Sequence, residues 1–196
     1  EEMSNNASTI ELSEDFSWVL DPIDGTNNFA LGFPLCSISL ALLHEGVPVY
    51  GFVYDFSINS LFEGGPGYGL LKDQQKYVPL SGDIEAQKII GLQFPIEPDL
   101  FKKLTPIFSD FKIRVLGSST LLGTLAAQAY FEGVLDVRAK VWDIAATYAF
   151  AKAVGNEFYF FNEAPFPLGK FHPSLPTCPY FTGSKIFCAK IQSLLA

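Results

Sequence analysis

The sequence predicts a layered α+β or α/β sandwich built as one continuous unit. Its first half is a succession of short apolar segments broken by turn signals, the pattern of neighbouring strands. Its second half alternates short apolar runs with helix-length ones, the pattern of strands and helices stacked in layers. Hydrophobic residues make up 48% of the 196 residues and charged ones only 17%, which supplies a substantial core and excludes a disordered composition.

Taken in order, residues 1–15 are polar and read as a loop with short extended pieces. Residues 16–20 (FSWVL) form a strand running into Asp21. Residues 35–43 and 47–55 form two apolar strands, joined at His44, Glu45 and Gly46 by a turn of hairpin length. Strands at 59–63 and 68–72 follow, separated by the turn Gly64-Gly65-Pro66-Gly67, so that the β-rich half spans 1–82. In the half spanning 83–196, a strand at 87–93 precedes a helix at 98–109 with Pro98 in its first turn. A strand at 111–116 leads to a helix at 118–131, with Ser118 or Ser119 as N-cap. A strand at 134–138, a helix at 142–154 ending at Gly155 and a strand at 157–161 come next. A Pro-rich loop at 165–179, a strand near 180–182 and a helix from Lys185 close the chain.

Charge narrows the function. The net charge is -8 and the only arginines are Arg114 and Arg138, so a nucleic-acid partner is not expected. No apolar run is long enough to span a bilayer, so no membrane partner is expected either. A phosphorylated ligand would have to be neutralised by cations held on carboxylates, since no arginine cluster is available. Cys36, Cys178 and Cys188 have neither CxxC spacing nor a nearby His, which reads as reduced core thiols and a cytoplasmic setting.

The chemistry concentrates in Asp21-Pro22-Ile23-Asp24-Gly25-Thr26-Asn27-Asn28-Phe29. Pro22 keeps Asp21 out of the helical region and removes one backbone donor. Asp21 and Asp24 can then converge on hard cations, with the carbonyl of Ile23 between them as a further oxygen ligand. Asp24 sits where a helix can begin, Gly25 lets backbone approach a ligand, and the free amides of Gly25 and Thr26 suit a phosphate. A plain Asp-Gly turn would explain a bare dipeptide but not the whole segment. A second piece, Trp142-Asp143-Ile144-Ala145-Ala146, puts an acid at a helix head, where the dipole alone would also favour it. Glu1 and Glu2, alone, read as a solvated end.

Together these pieces resemble the inositol monophosphatase family of metal-dependent, lithium-sensitive-type phosphatases, over the whole chain. DPIDGTxNF is the family's central motif and DPIDGTNNF matches it; WDxAA is matched by Trp142 to Ala146. Gly51-Phe52-Val53-Tyr54-Asp55 and Gly117-Ser118-Ser119 echo two further family segments. The resemblance implies an αβαβα sandwich, here lacking the N-terminal helical region. It implies that Glu1, Asp21, the Ile23 carbonyl, Asp24 and Asp143 bind two or three Mg²⁺, with Mn²⁺ a possible substitute. Glu1 matches the first Glu of a Gly-Glu-Glu motif in spacing, without the Gly. It further implies that Gly25 and Thr26 hold the phosphate through backbone amides while the Thr26 hydroxyl orients the attacking water, and that Ser119 and Asp143 line the substrate. Asp136 stands where many relatives place a cyclitol-binding Glu, or instead matches an upstream structural Asp. His44 and His172 are expected in a turn and a loop, away from the site.

The implied activity is hydrolysis of a small alcohol phosphate, with inositol monophosphate the reference substrate. Fructose 1,6-bisphosphate, histidinol phosphate and 3′-phosphoadenosine 5′-phosphate fit the same motifs, and a non-catalytic metal-binding homologue is the alternative of a different class. A homodimer is expected, mostly from the resemblance. With Met3 the only methionine, the chain is also expected to be part of a longer product whose upstream helices cover the first sheet.

Overall fold

The computed structural model describes residues 8–78 and 89–195. Glu1 therefore lies outside the described residues. The strands are β1 (Ile10–Glu11), β2 (Phe16–Asp24), β3 (Ser37–His44), β4 (Val47–Asp55), β5 (Ser60–Gly65), β6 (Gly69–Lys72) and β7 (Gln75–Lys76) in the first half. The second half adds β8 (Ile89–Leu92), β9 (Lys112–Arg114), β10 (Gly133–Asp136), β11 (Glu157–Phe160), β12 (Lys170–Phe171) and β13 (Tyr180–Gly183). The helices are α1 (Thr26–Ala30), α2 (Pro98–Leu104), α3 (Ser119–Ala127), α4 (Val141–Val154) and α5 (Lys185–Leu195).

β2 to β7 form an antiparallel six-stranded sheet in sequence order. β11-β13-β10-β8-β9 form a mixed five-stranded sheet, in which β8 pairs parallel with both β9 and β10 while β13 runs antiparallel to both β10 and β11. β1 pairs with β12. Helices α3 and α4 lie between the two sheets. Val19, Ala41, Val53 and Phe62 of the first sheet pack on Ala145, Ala146 and Phe150 of α4. On the other side Leu122 and Ile144 meet Val134, Phe158 and Tyr180 of the second sheet. The far face of the second sheet carries Ile90, Leu92, Leu135 and Phe181 and is covered by Leu104, Phe187 and Ile191. The described residues thus build four layers, sheet, helices, sheet, helices, of the expected sandwich. The outer face of the first sheet bears Phe16, Trp18 and Leu20, each more than half exposed. Among the described residues no helix is long and apolar enough to cross a membrane.

At one point the α4–sheet contact is made by backbone. A Cβ at Gly51 would stand 2.7 Å from the carbonyl oxygen of Ala146, so α4 rests directly on β4 with no side chain between them. Several elements differ from the expected bounds. The first strand runs on to Asp24. The turn expected at 64–67 begins later, because Gly64 and Gly65 belong to β5, where a Cβ would collide with the Gly69 and Val49 carbonyls. The helix expected at 98–109 ends at Leu104 and continues as a 3₁₀ turn over Thr105–Ser109, since Pro106 has no N–H for the carbonyl four residues back. The hairpin at Glu45 and Gly46 has φ values of 49° and 75°, a two-residue turn that matches strand twist. Gly155 caps α4 in the left-handed conformation, as expected.

Candidate metal centre

Asp21 and Asp24 come from the end of β2 and point into the seam between the sheet and α4. Asp21 pairs with Ser39 and Asp24 with Ser37, so two residues, Pro22 and Ile23, face the single residue Ile38. That bulge, with a proline that cannot donate, brings two acids three residues apart to the same side of the strand. The bend expected between them is this bulge; the helix begins only at Thr26. Gly25 precedes it with φ 81° and ψ 37°, and a Cβ there would lie 2.8 Å from the Leu35 carbonyl oxygen. Only glycine combines that conformation with that approach. Asn28 fixes α1 in place by donating from Nδ2 to the carbonyls of Leu35 and Leu116, each at 2.7 Å. Thr26 is exposed at the head of α1, where first-turn amides have no intrahelical partner.

Asp143 enters from the first turn of α4. Its Oδ2 accepts from the Lys140 amide at 2.7 Å, which closes the helix start and orients the side chain. One ligand oxygen each from Asp21, Asp24 and Asp143 lies within 4.8 Å of the others. The two β2 acids are 7% and 8% exposed, so the cluster is largely shielded from water. Burial first, then the charge of Asp21, pushes the Asp24 carboxyl up to about 6 against the donors of Ser118 and Thr120. Burial and the charge of Asp24 likewise hold Asp143 well above the usual carboxylate range, and a hydrogen bond with Asp21 also favours its protonated form. Three acids that destabilise one another's charge are what a cation would relieve. The Ser37 hydroxyl, fully buried opposite Asp24, has no hydrogen-bond partner. An all-oxygen donor set of this kind fits a hard divalent ion such as Mg²⁺.

Residues that the sequence marks for no metal or substrate role hold these acids. Ser118 Oγ donates to Asp24 Oδ2, and the Thr120 amide donates to the same oxygen at 2.8 Å. Ser118 also caps α3, accepting from the Leu121 amide at 3.2 Å. Thr120 Oγ1 donates to the Asp143 carbonyl at 2.9 Å. Ser118 is legible in the sequence as a cap and as part of the Gly117-Ser118-Ser119 segment, and nothing local ties it to an acid 94 positions away. Ser119, expected against the substrate, and Asp136, expected either there or as a structural acid, are turned on each other: Ser119 Oγ donates to Asp136 Oδ2. Asp136 has no exposed surface. His44 ends β3 against Phe16, and His172 lies in a loop with Ser174, both away from the acids. Cys36, Cys178 and Cys188 are free thiols.

The sequence and the fold have counterparts among known proteins. The sequence model of the inositol monophosphatase family matches residues 1–183. The chain belongs to the inositol monophosphatase family. Over 149 residues it is 34% identical to a probable inositol 1-monophosphatase ImpA of Mycobacterium tuberculosis, covering 70% of this chain and 54% of that protein. Over 143 residues it is 32% identical to a putative Nus factor SuhB of Neisseria meningitidis, covering 69% of this chain and 54% of the relative. The chain thus spans about half the length of these two relatives. A crystal structure of an IMPase/NADP phosphatase complexed with Mg²⁺ and phosphate superimposes with a TM-score of 0.77 at 25% identity, over 100% of this chain and 71% of that one.

Proposed function

We propose that this protein is a Mg²⁺-dependent phosphomonoesterase acting on a small alcohol phosphate, with inositol monophosphate the reference substrate. The observation that carries the reading is the convergence of Asp21, Asp24 and Asp143 within 4.8 Å beside the glycine-opened head of α1. In this reading Asp21, Asp24, Asp143 and the Ile23 carbonyl hold two or three Mg²⁺, with Glu1 completing the set and Mn²⁺ an acceptable substitute. The bound ions supply an activated water and charge compensation at the leaving oxygen. The chain's own part is orientation. The Gly25 and Thr26 amides face the phosphate oxygens, and the Thr26 hydroxyl directs the water in line with the ester bond. Asp24, held on one oxygen by Ser118 and Thr120, keeps its other oxygen for the metal. The buried seam keeps bulk water from competing.

Fructose 1,6-bisphosphate, histidinol phosphate and 3′-phosphoadenosine 5′-phosphate share the ester chemistry, and the metal and phosphate ligands do not distinguish among them. Phosphate release from a panel of these esters, with Mg²⁺ and with excess chelator, tests the reading. Release undiminished in chelator would refute it. Mg²⁺ binding without turnover on any ester would favour a non-catalytic homologue, a possibility that the similarity to a protein named a Nus factor keeps in view. We further infer a cytoplasmic homodimer, from the free thiols and the exposed apolar side chains; light scattering giving a monomer mass at micromolar concentration would count against the dimer.

A further inference from the structure

Three consecutive hydroxyls at the head of α3 each reach a different acidic residue. Ser118 donates to the Asp24 carboxylate, Ser119 to the Asp136 carboxylate, and Thr120 to the main-chain carbonyl of Asp143. Asp136 in turn shapes the chain leading to Asp143. It ends β10 fully buried, and its Oδ1 accepts from the amides of Arg138 at 2.7 Å and Ala139 at 3.0 Å. That turn delivers Lys140, whose amide fixes Asp143 Oδ2. A path of hydrogen bonds and short chain therefore runs from one proposed metal ligand to another, from Asp24 through Ser118 and Ser119 to Asp136, then through residues 138–140 to Asp143. Hydrophobic packing alone would favour an apolar residue at position 136, because burying a carboxylate is unfavourable unless its bonds serve a purpose.

We propose that Asp136 is a positioning residue of the metal centre: joined to Ser119, it locks the turn before α4 onto the head of α3 and so sets Asp143 relative to Asp24, without touching the substrate. The inference rests on the metal-site reading of Asp21, Asp24 and Asp143 given above. It assigns the Ser119–Asp136 pair a role opposite to substrate contact, and the two roles separate experimentally. A positioning pair acts on the affinity for the ion. A contact pair acts on the affinity for the ester.

The test measures Mg²⁺ dissociation constants by titration calorimetry without substrate, and KM at saturating Mg²⁺, for the wild type, Ser119→Ala and Asp136→Asn. Ser119→Ala cuts the link while leaving Asp136 its two amide donors. Asp136→Asn keeps the volume and can still bond Ser119, with the donor reversed. Ser119→Ala is expected to weaken Mg²⁺ binding about tenfold, the lower end of the range for groups that orient metal ligands, and Asp136→Asn, which keeps the link with its donor reversed, by less than that, with KM moving less than about threefold in either. Far-UV circular dichroism establishes that each variant is folded, and one folded variant suffices to decide. Unchanged Mg²⁺ affinity overturns the proposal, as does a KM that rises tenfold or more while Mg²⁺ affinity holds. A wild type that binds no Mg²⁺ would instead remove the metal-site reading itself, and the inference with it.

Discussion

Replacing Asp24 with Asn should stabilise the metal-free protein at alkaline pH and abolish its response to Mg²⁺. The folded protein holds the Asp24 carboxyl at about 6, chiefly through burial, while in the unfolded chain it titrates near 3.9. A carboxyl raised on folding favours the native state fully below the unfolded value, and that advantage is lost as pH rises through about 6. The gap of about two units corresponds to about 3 kcal/mol of destabilisation above pH 7. Asn keeps an acceptor for Ser118 and Thr120 and carries no charge, so about 2 kcal/mol should be recovered, or roughly 4–8 °C in Tm for a chain of this size. At pH 4 the wild-type carboxyl is already protonated and the gain should vanish. In Mg²⁺ at a hundred times its dissociation constant the wild type should gain about 2.7 kcal/mol and the variant almost none, which reverses their order. Thermal melts at pH 4 and pH 8, in chelator and in Mg²⁺, read all four corners. A variant that melts below the wild type at pH 8 in chelator, or a gap equal at both pH values, would refute the reasoning.

Other perturbations follow from the same geometry. Asp21→Asn and Asp143→Asn should each lower phosphate release more than about a hundredfold while the fold persists, as measured by turnover alongside circular dichroism. Gly25→Ala should lower Tm, since the backbone there has φ 81° and the new methyl would meet the Leu35 carbonyl at 2.8 Å; the strain is about 1–3 kcal/mol. Tyr180→Phe removes a fully buried hydroxyl that has no hydrogen-bond partner, so chemical denaturation should show equal or higher stability, by up to about 1–3 kcal/mol. Gly51→Ala should destabilise through the 2.7 Å approach to the Ala146 carbonyl, by about 1–3 kcal/mol in the same assay.

The sequence exposed what is local and periodic. β4 has the expected bounds, and the caps at Ser118 and Gly155 fall where turn chemistry places them. The acids were legible because Pro22 and Gly25 punctuate them within a few residues. Boundaries failed where a tertiary contact decided the outcome. Gly64 and Gly65 look like a turn by composition, but they are strand residues because neighbouring backbone leaves room for no side chain. Asp136 offered only a spacing from Asp143, which cannot report that a serine 17 residues earlier takes up its carboxylate. The hydroxyl of Ser118 and the amide of Thr120 reach Asp24 only because the fold brings the head of α3 to the end of β2, which no local pattern reports.

The backbone contact between Gly51 and Ala146 bears on which ions the centre can admit. Asp143 sits at the head of a helix whose second turn rests on strand backbone, and peptide groups in contact yield far less than a layer of side chains would. Asp21 and Asp24 are fixed to that same sheet by the β2–β3 ladder. The gap spanned by the three acids is thus held at its floor by incompressible matter. Mg²⁺ asks for oxygens at about 2.0–2.1 Å and Ca²⁺ for about 2.3–2.6 Å in a roomier shell. Contact at its floor resists approach and leaves separation free, so a side chain at position 51 would lift α4, and Asp143 with it, away from Asp21 and Asp24: a glycine one layer below the acids, which touches no ion, sets how closely the three can gather around one.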